Sequence, residues 1–426
     1  MMKIEIRNGH VIDPANNIDS ITSLFISDGK VAARGQAPVG FTAEQVIDAS
    51  NRLVLPGLVD LQARLREPGL EHKGTIASET RAAAAGGITT LCCPPDTDPV
   101  LDTESVAEQM RQRAHSAGYA RVIPLGALTA GLKGEQLAEM QTLKDAGCVA
   151  MSNARQPINN TLVLRRAMEY AATLGLTVVL HPEDPWLASN GCIHEGAVST
   201  RLGLAGIPEC AEVIAISRDL RLIEQTGVRA HFATLSSAKA VELVAEARAR
   251  GVPVSADVSM QQLFLTEMDV NYFNSLCHVR PPFRSQRDRD GLRAALTDGV
   301  IGAICSDHQP HDLDAKLAPF AATEPGSSGL ETLLPLALRL ADEKVLSLSQ
   351  AIARVTCDAA RIFGIDAGTL NIGTSADLCI VDPHSRWTVS DKTLFSRGKN
   401  SPFVGWELTG KVTHTLLNGR IVYTAA

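Results

Sequence analysis

The chain has 426 residues, 45% of them hydrophobic and 20% charged, with 40 Lys plus Arg against 47 Asp plus Glu and a formal net charge of −7. That is an ordinary globular composition, not a disordered one, and the absence of long basic runs argues against nucleic acid and anionic membranes as partners. No apolar stretch approaches the ~20 residues needed to span a bilayer, and Met1 to Asn8 alternates like a strand instead of carrying the apolar core of a signal peptide; a cytoplasmic location is expected.

In chain order, Ile4, Ile6, Val11 and Ile12 precede the turn-forming run Asp13 to Asn17. Ser23 to Ser27, Asp28-Gly29 and Val31 then read as a hairpin. The middle alternates short apolar runs with helical patterns. The runs are Leu53–Leu61, Gly87–Cys93, Val122–Leu128, Cys148–Met151, Leu176–Leu180, Arg229–Ala233, Val252–Val258 and Val300–Cys305. One helix is expected from Asp102 to His115, with Val106 and Met110 on one face and Gly118 beyond its end. Another is expected from Ser236 to Arg250, with Ala240, Leu243, Val244 and Ala247 on one face and Gly251 as its stop. Eight such units over about 250 residues point to an α/β fold, a (β/α)8 TIM barrel. The last segment is β-rich again: Ala376 to Asp382 is a strand, and Lys411 to Leu417, Asn418-Gly419 and Arg420 to Tyr423 form a hairpin. The expected division is a small β-sandwich domain built from both termini, residues 1–54 and 366–426, around a barrel of residues 55–365. The nine cysteines include no C-x-x-C pair and read as small buried hydrophobes.

Barrels of this kind place their chemistry at the C-terminal ends of the strands. There the sequence supplies Asp60 to Gly69, Asp96, Ser152 to Arg155, His181 to Asp184, His231, Ser259 to Gln262, and Ser306 to His311. His181, His231 and Asp307 have the character of a metal site, because neutral imidazoles and a carboxylate can converge on one zinc. Any one of them alone is more simply a hydrogen-bonded loop residue. Asp307 also suits a general base, and Arg66 can fork onto a substrate carboxylate, its bland alternative being a surface ion pair.

Several stretches together resemble the long-form dihydroorotases of the amidohydrolase superfamily over nearly the whole chain. They are Pro56 to Leu61, Leu65 to Gly69, Ala82 to Gly87, Ser306-Asp307-His308 with Pro310-His311, and Gly329 to Thr332. The resemblance implies a barrel with a flanking β-sandwich, and ring closure of carbamoyl aspartate to dihydroorotate by a metal-activated hydroxide. It makes His181, His231 and Asp307 metal ligands, with the two histidines at one metal and Asp307 at the other. It makes Arg66 and His311 holders of the substrate carboxylate.

The departures from that pattern change the expectation. Gln62 and Arg64 stand where the family has two metal-binding histidines, and Asn153 where it has a bridging aspartate. Gln261-Gln262 replace a histidine pair, and Asp96 and Arg280 replace two asparagines of the substrate pocket. An amide oxygen is a weak zinc donor, and a guanidinium has no lone pair to offer. A cation about 4 Å from a unit charge at an effective dielectric near 20 feels about 4 kcal/mol, doubled for a dication. Arg64 is therefore expected to pair with Asp307 in the vacancy left by the metal, and Asp96 to be neutralised by Arg280 or Arg64. No cofactor is expected; the alternative is zinc at a degraded site. The expected function is a noncatalytic dihydroorotase-like subunit that supports assembly and activity of the aspartate transcarbamoylase catalytic chain in pyrimidine biosynthesis, with self-association of the chain. The alternative is an active dihydroorotase, or a related cyclic amidohydrolase, with an atypical metal site; a noncatalytic sensor of a pyrimidine intermediate is a weaker third.

Overall fold

The structure, a computed structural model, describes residues 2–425. The chain opens with β1 (Ile4–Asp13), β2 (Ile18–Ser27), β3 (Lys30–Arg34), β4 (Gln45–Asp48) and β5 (Leu53–Pro56). Pro14 cannot donate to a ladder and ends β1, and Asn17 turns the chain into β2 in the left-handed conformation, φ 52°. Asp28 and Gly29 are both left-handed, at φ 54° and 77°, the backbone twist that a tight hairpin demands. β5 keeps the chain in this sheet through Pro56, past the boundary expected at residue 54.

The barrel follows: β6 (Leu58–Asp60), β7 (Ile88–Cys93), β8 (Arg121–Pro124), β9 (Gly126–Ala127), β10 (Ala150–Ser152) and β11 (Thr177–Leu180). A short separate ladder, β12 (Ile193–His194) with β13 (Gly206–Ile207), interrupts the series. β14 (Ala230–Phe232), β15 (Val254–Ser259) and β16 (Ala303–Cys305) complete it. Neighbouring barrel strands pair in parallel, and β8 and β9 together form the third stave. A parallel bridge between Ala63 and His308 joins the last stave to the first. All eight apolar runs thus overlap a barrel strand, because strands buried on both faces carry continuous apolar residues.

The helix expected from Asp102 starts later, at Glu104, and ends at Ala117 before left-handed Gly118, with Val106 and Met110 buried. The second runs from Ala238 to Ala249, its N-terminus capped by the Ser237 hydroxyl, which accepts from Ala240 N. Inside the barrel Val59, Cys92, Val179, Ala303, Cys305 and Phe363 share one apolar cluster. β17 (Leu378–Thr388), β18 (Glu407–Leu417) and β19 (Arg420–Thr424) return the chain to the first sheet, giving the order β19-β18-β17-β5-β1-β2-β3 with β4 on β1. Ile4, Ile26, Ile47, Val54, Leu378 and Leu416, drawn from both ends of the chain, fill that sheet's own core. Eight cysteines are buried; Cys210, expected to be buried as well, is exposed. No helix among the described residues is long and apolar enough to cross a membrane.

Candidate functional site

The mouth of the barrel is organised by the ends of β6 and β16. Asp60, wholly buried, accepts from the Ser306 backbone N–H at 2.9 Å and from the Ser306 hydroxyl, and burial pushes its carboxyl up to about 6. His308 donates through Nε2 to Glu79 at 2.9 Å and accepts at Nδ1 from Gly329 N, so its ring is fixed by two partners. Glu79 also accepts from Ser396 and from Arg397 N, which ties the C-terminal segment to the mouth. Arg66 and Asp307 are left-handed, at φ 66° and 44°, as are Ala154 at 48° and Thr234 at 55°. Strained non-glycine residues of this sort sit where a fold aims side chains.

The aimed side chains form ion pairs. Arg64 is 4% exposed; its Nε donates to Asp96 at 2.6 Å, and its Nη1 lies 3.6 Å from Asp307. The principal partner of Asp307 is Arg155, whose Nη2 reaches both carboxylate oxygens at 2.9 and 3.0 Å. The expected Arg64–Asp307 ion pair is present, though it is the longer contact of both groups. Arg155 follows the fourth stave, faces Asp307 across the mouth and takes the closer contact, while Arg64 lies closer to Asp96. Burial opposes the Arg64 charge, but Asp96 and then Asp307 more than offset it; Arg64 in turn outweighs burial and holds the Asp96 carboxyl down. Arg280 does not reach Asp96. Its Nε donates to both oxygens of Glu183, at 2.9 and 3.0 Å.

The two candidate ligand histidines are in different states. His231 is fully buried and both of its ring nitrogens are engaged, Nε2 with Asp257 at 3.0 Å and Nδ1 with Ser255 at 2.8 Å. It also stands edge-on to Phe363 in the barrel interior, ring centroids 5.4 Å apart. His181 has both ring nitrogens buried and without a partner. Burial first, and then Arg155 and Arg64, push its pKa well below the usual histidine value.

Arg66 has neutral partners: its Nε donates to Pro310 O at 3.0 Å and its Nη2 lies 3.2 Å from His311 Nε2. Burial, and then the neighbouring Arg64 cation, lower its pKa to about 10. Burial and Arg66 likewise keep His311 neutral. Asn153 is engaged on every side, its Oδ1 accepting from Thr129 at 2.7 Å and its Nδ2 donating to Leu132 O and Gln156 O. Gln62, wholly buried, has neither amide atom bonded.

The residues present do not fit a zinc centre. Asp307 is closed off by Arg155, His231 has both nitrogens committed, and Asn153 pins backbone where a bridging carboxylate would stand. Among the described residues no group of three or more His, Cys, Asp or Glu side chains is arranged to hold a metal. Space is equally restricted. The hollow lined by Arg155, His181, Glu183, Glu212, Thr234 and Arg280 measures about 30 Å³, room for a water or two, where small-molecule sites run to about 300–1,000 Å³. Larger hollows, of about 630 and 1220 Å³, open elsewhere, the latter beside Arg111, His115 and Arg420.

The sequence reading missed Arg155, Glu183, Asp257 and Glu79. Arg155 and Glu183 stood within the strand-end segments read off the chain, but residue type alone does not choose a partner across the mouth. Asp257 lies two positions from Ser255 on β15, so both side chains point the same way, and that spacing was the available signal.

A parallel eight-stranded barrel, a sheet built from both termini and polar residues at the strand ends define the amidohydrolase class. The dihydro-orotase-like family model matches residues 51–240, and an amidohydrolase family model matches residues 292–423. The chain is 52% identical over 422 residues to the dihydroorotase-like protein of Pseudomonas putida, covering 99% of both chains. It is 42% identical over 424 residues to the dihydroorotase of Geobacter sp. (strain M21), covering 100% of both. Among solved structures, the L-hydantoinase (dihydropyrimidinase) from Arthrobacter aurescens superposes with a TM-score of 0.88 at 26% identity, over 99% of this chain and 96% of that one. The chain belongs to the dihydroorotase-like family.

Proposed function

We propose that this chain is a noncatalytic dihydroorotase-like subunit: it holds no catalytic metal and supports assembly and activity of the aspartate transcarbamoylase catalytic chain in pyrimidine biosynthesis. The observation that carries the reading is the Arg155–Asp307 pair, with Arg64–Asp96 beside it. In a hydrolytic barrel a carboxylate at this place must bind metal or take up a proton. Here it is held by a guanidinium that cannot be deprotonated. The intact barrel and sheet leave the surface as the part that does the work, in a cytoplasmic, self-associating chain. The name borne by the Pseudomonas putida relative, dihydroorotase-like, supports the same reading.

The second reading, an active dihydroorotase or related cyclic amidohydrolase with an atypical metal site, is favoured by one finding: a relative at 42% identity over the full length is named dihydroorotase. Co-expression of the chain with the aspartate transcarbamoylase catalytic chain of the same cell, followed by size exclusion and transcarbamoylase assay, tests the first reading. A co-eluting complex whose transcarbamoylase activity requires this chain is expected. Separate elution with unchanged activity would overturn it.

A further inference from the structure

At one part of its rim the barrel presents apolar side chains to water. The segments after the seventh and eighth staves carry Met268, Tyr272, Phe273, Leu313 and Leu317, each between 50% and 89% exposed. Exposed apolar residues scattered singly are ordinary; a group of them marks an interaction site. The two segments are joined. His278 O accepts from Lys316 Nζ at 3.1 Å and from Gly326 N at 2.9 Å, and the His278 ring lies 2.8 Å from Thr323 Oγ1 and against Phe320. A single 3-10 turn, Ser275–Cys277, separates Phe273 and Asn274 from His278, so Tyr272 and Phe273 stand beside the loop that bears Leu313 and Leu317.

The turn of Glu267–Phe273 is built to show its aromatic residues. Buried Val270 anchors it. The Thr266 hydroxyl caps its start, accepting from Met268 N at 3.3 Å, and Asn274 N bonds Val270 O at 3.2 Å at its end. Tyr272 and Phe273 are both left-handed, at φ 57° and 59°, a conformation that bulky side chains avoid. Tyr272, 89% exposed, returns little packing for that strain. Strain of this kind collects where a surface binds something.

The charges around the group are mostly of one sign. Glu324 is paired with Lys73, while Glu267, Asp269, Asp312 and Asp314 have no ion-pair partner among the described residues. Lys73 and Lys316 are buried, the latter donating to the carbonyls of His278 and Glu324. Exposed Arg201 donates to Asn271 Oδ1 at 3.1 Å. The rim thus meets water with five carboxylates and one guanidinium, and it stays negative when the two lysines are added, five against three. Like charge opposes a second copy of this chain or an anionic lipid surface here. An apolar partner surface ringed by Lys and Arg complements it.

We infer that this rim, Tyr272 and Phe273 with Leu313 and Leu317, is the docking surface for a basic-ringed apolar patch of the aspartate transcarbamoylase catalytic chain. The inference rests on the noncatalytic role proposed above and adds where on the barrel that role is carried.

Titration of the intact chain with the purified transcarbamoylase catalytic chain at rising salt tests it. Affinity should fall as salt rises. Tyr272→Asn combined with Leu317→Gln should weaken binding by about tenfold or more. Its thermal midpoint should not drop, because Asn accepts the left-handed backbone and Leu317 is exposed. Asp314→Lys should weaken binding and flatten the salt dependence. Ile21→Gln, an exposed apolar position on β2, should change neither. Should the double variant fail to fold, Asp314→Lys and the salt series decide. Wild-type affinity in the double variant, or affinity independent of salt, would overturn the inference and leave the noncatalytic role standing. No complex with the wild-type chain would overturn both. A double variant that separates copies of this chain yet still binds the transcarbamoylase would assign the rim to self-association and overturn the inference.

Discussion

Arg155 Nη2 lies 2.9 and 3.0 Å from the two carboxylate oxygens of Asp307, across the mouth of the barrel from the fourth stave to the eighth. The side chain of Asp307 is 4% exposed and that of Arg155 19%. Such a pair adds little over apolar residues of equal volume, but removing one partner strands a buried charge. Arg155→Met should therefore destabilise the chain by about 3 kcal/mol, near the lower end of the range for broken buried pairs because Arg64 remains close to Asp307. Urea denaturation measures it. The same variant should gain no dihydroorotase activity, since freeing Asp307 leaves His231 committed to Asp257.

Asn153 predicts the fate of an attempt to rebuild a bridging acid. Its Nδ2 donates to Leu132 O at 3.1 Å and to Gln156 O at 2.9 Å. Asn153→Asp changes both contacts from donor–acceptor to acceptor–acceptor. The variant should be less stable than wild type by about 2 kcal/mol, read from the shift in urea midpoint at unchanged slope. Equal stability would show that the loop has room to turn the new carboxylate towards the mouth.

The pH dependence can be read at single sites. Burial, and then Lys316, depress the His278 pKa to about 4. Below about 6.5 the unfolded chain takes up a proton that the folded one refuses, so stability falls as pH drops towards about 4, at up to about 1.4 kcal/mol per pH unit. Asp219 carries the opposite sign. Burial, despite Arg218, raises its pKa to about 6. Between that value and the unfolded value of about 3.9 the folded chain binds the extra proton, so stability rises as pH falls through the window. On acidification wild type should lose ground against His278→Asn and gain ground against Asp219→Asn, as followed by denaturation at a series of pH values. Parallel curves in either comparison would contradict the assignment.

The barrel was legible because strands buried on both faces leave continuous apolar runs, and the eight runs each overlap a stave. The sheet from both ends was legible from alternation and from Asp28-Gly29 and Asn418-Gly419. The losses at Gln62, Arg64 and Asn153 were legible as residue types. The replacement network was not. Arg64 was expected on Asp307, with Arg280 or Arg64 on Asp96, and it touches both carboxylates, Asp96 at 2.6 Å and Asp307 at 3.6 Å; Arg155, 152 positions before Asp307, was not expected there at all. Which carboxylate a long flexible cation approaches most closely is set by packing in the folded mouth, and chain order carries no record of that choice. His231 shows the same limit: its residue type suits a ligand, and only the packing of β14 against β15 reveals that Asp257 and Ser255 occupy both nitrogens.

The central claim is that ion pairs have displaced metal chemistry at the mouth. Its most direct test is the rate of dihydroorotate hydrolysis by the purified chain in the presence of added zinc, with Asp307→Ala as control. The account predicts a rate indistinguishable from the protein-free blank for both proteins. Zinc-dependent turnover by the wild-type chain, lost in Asp307→Ala, would contradict it.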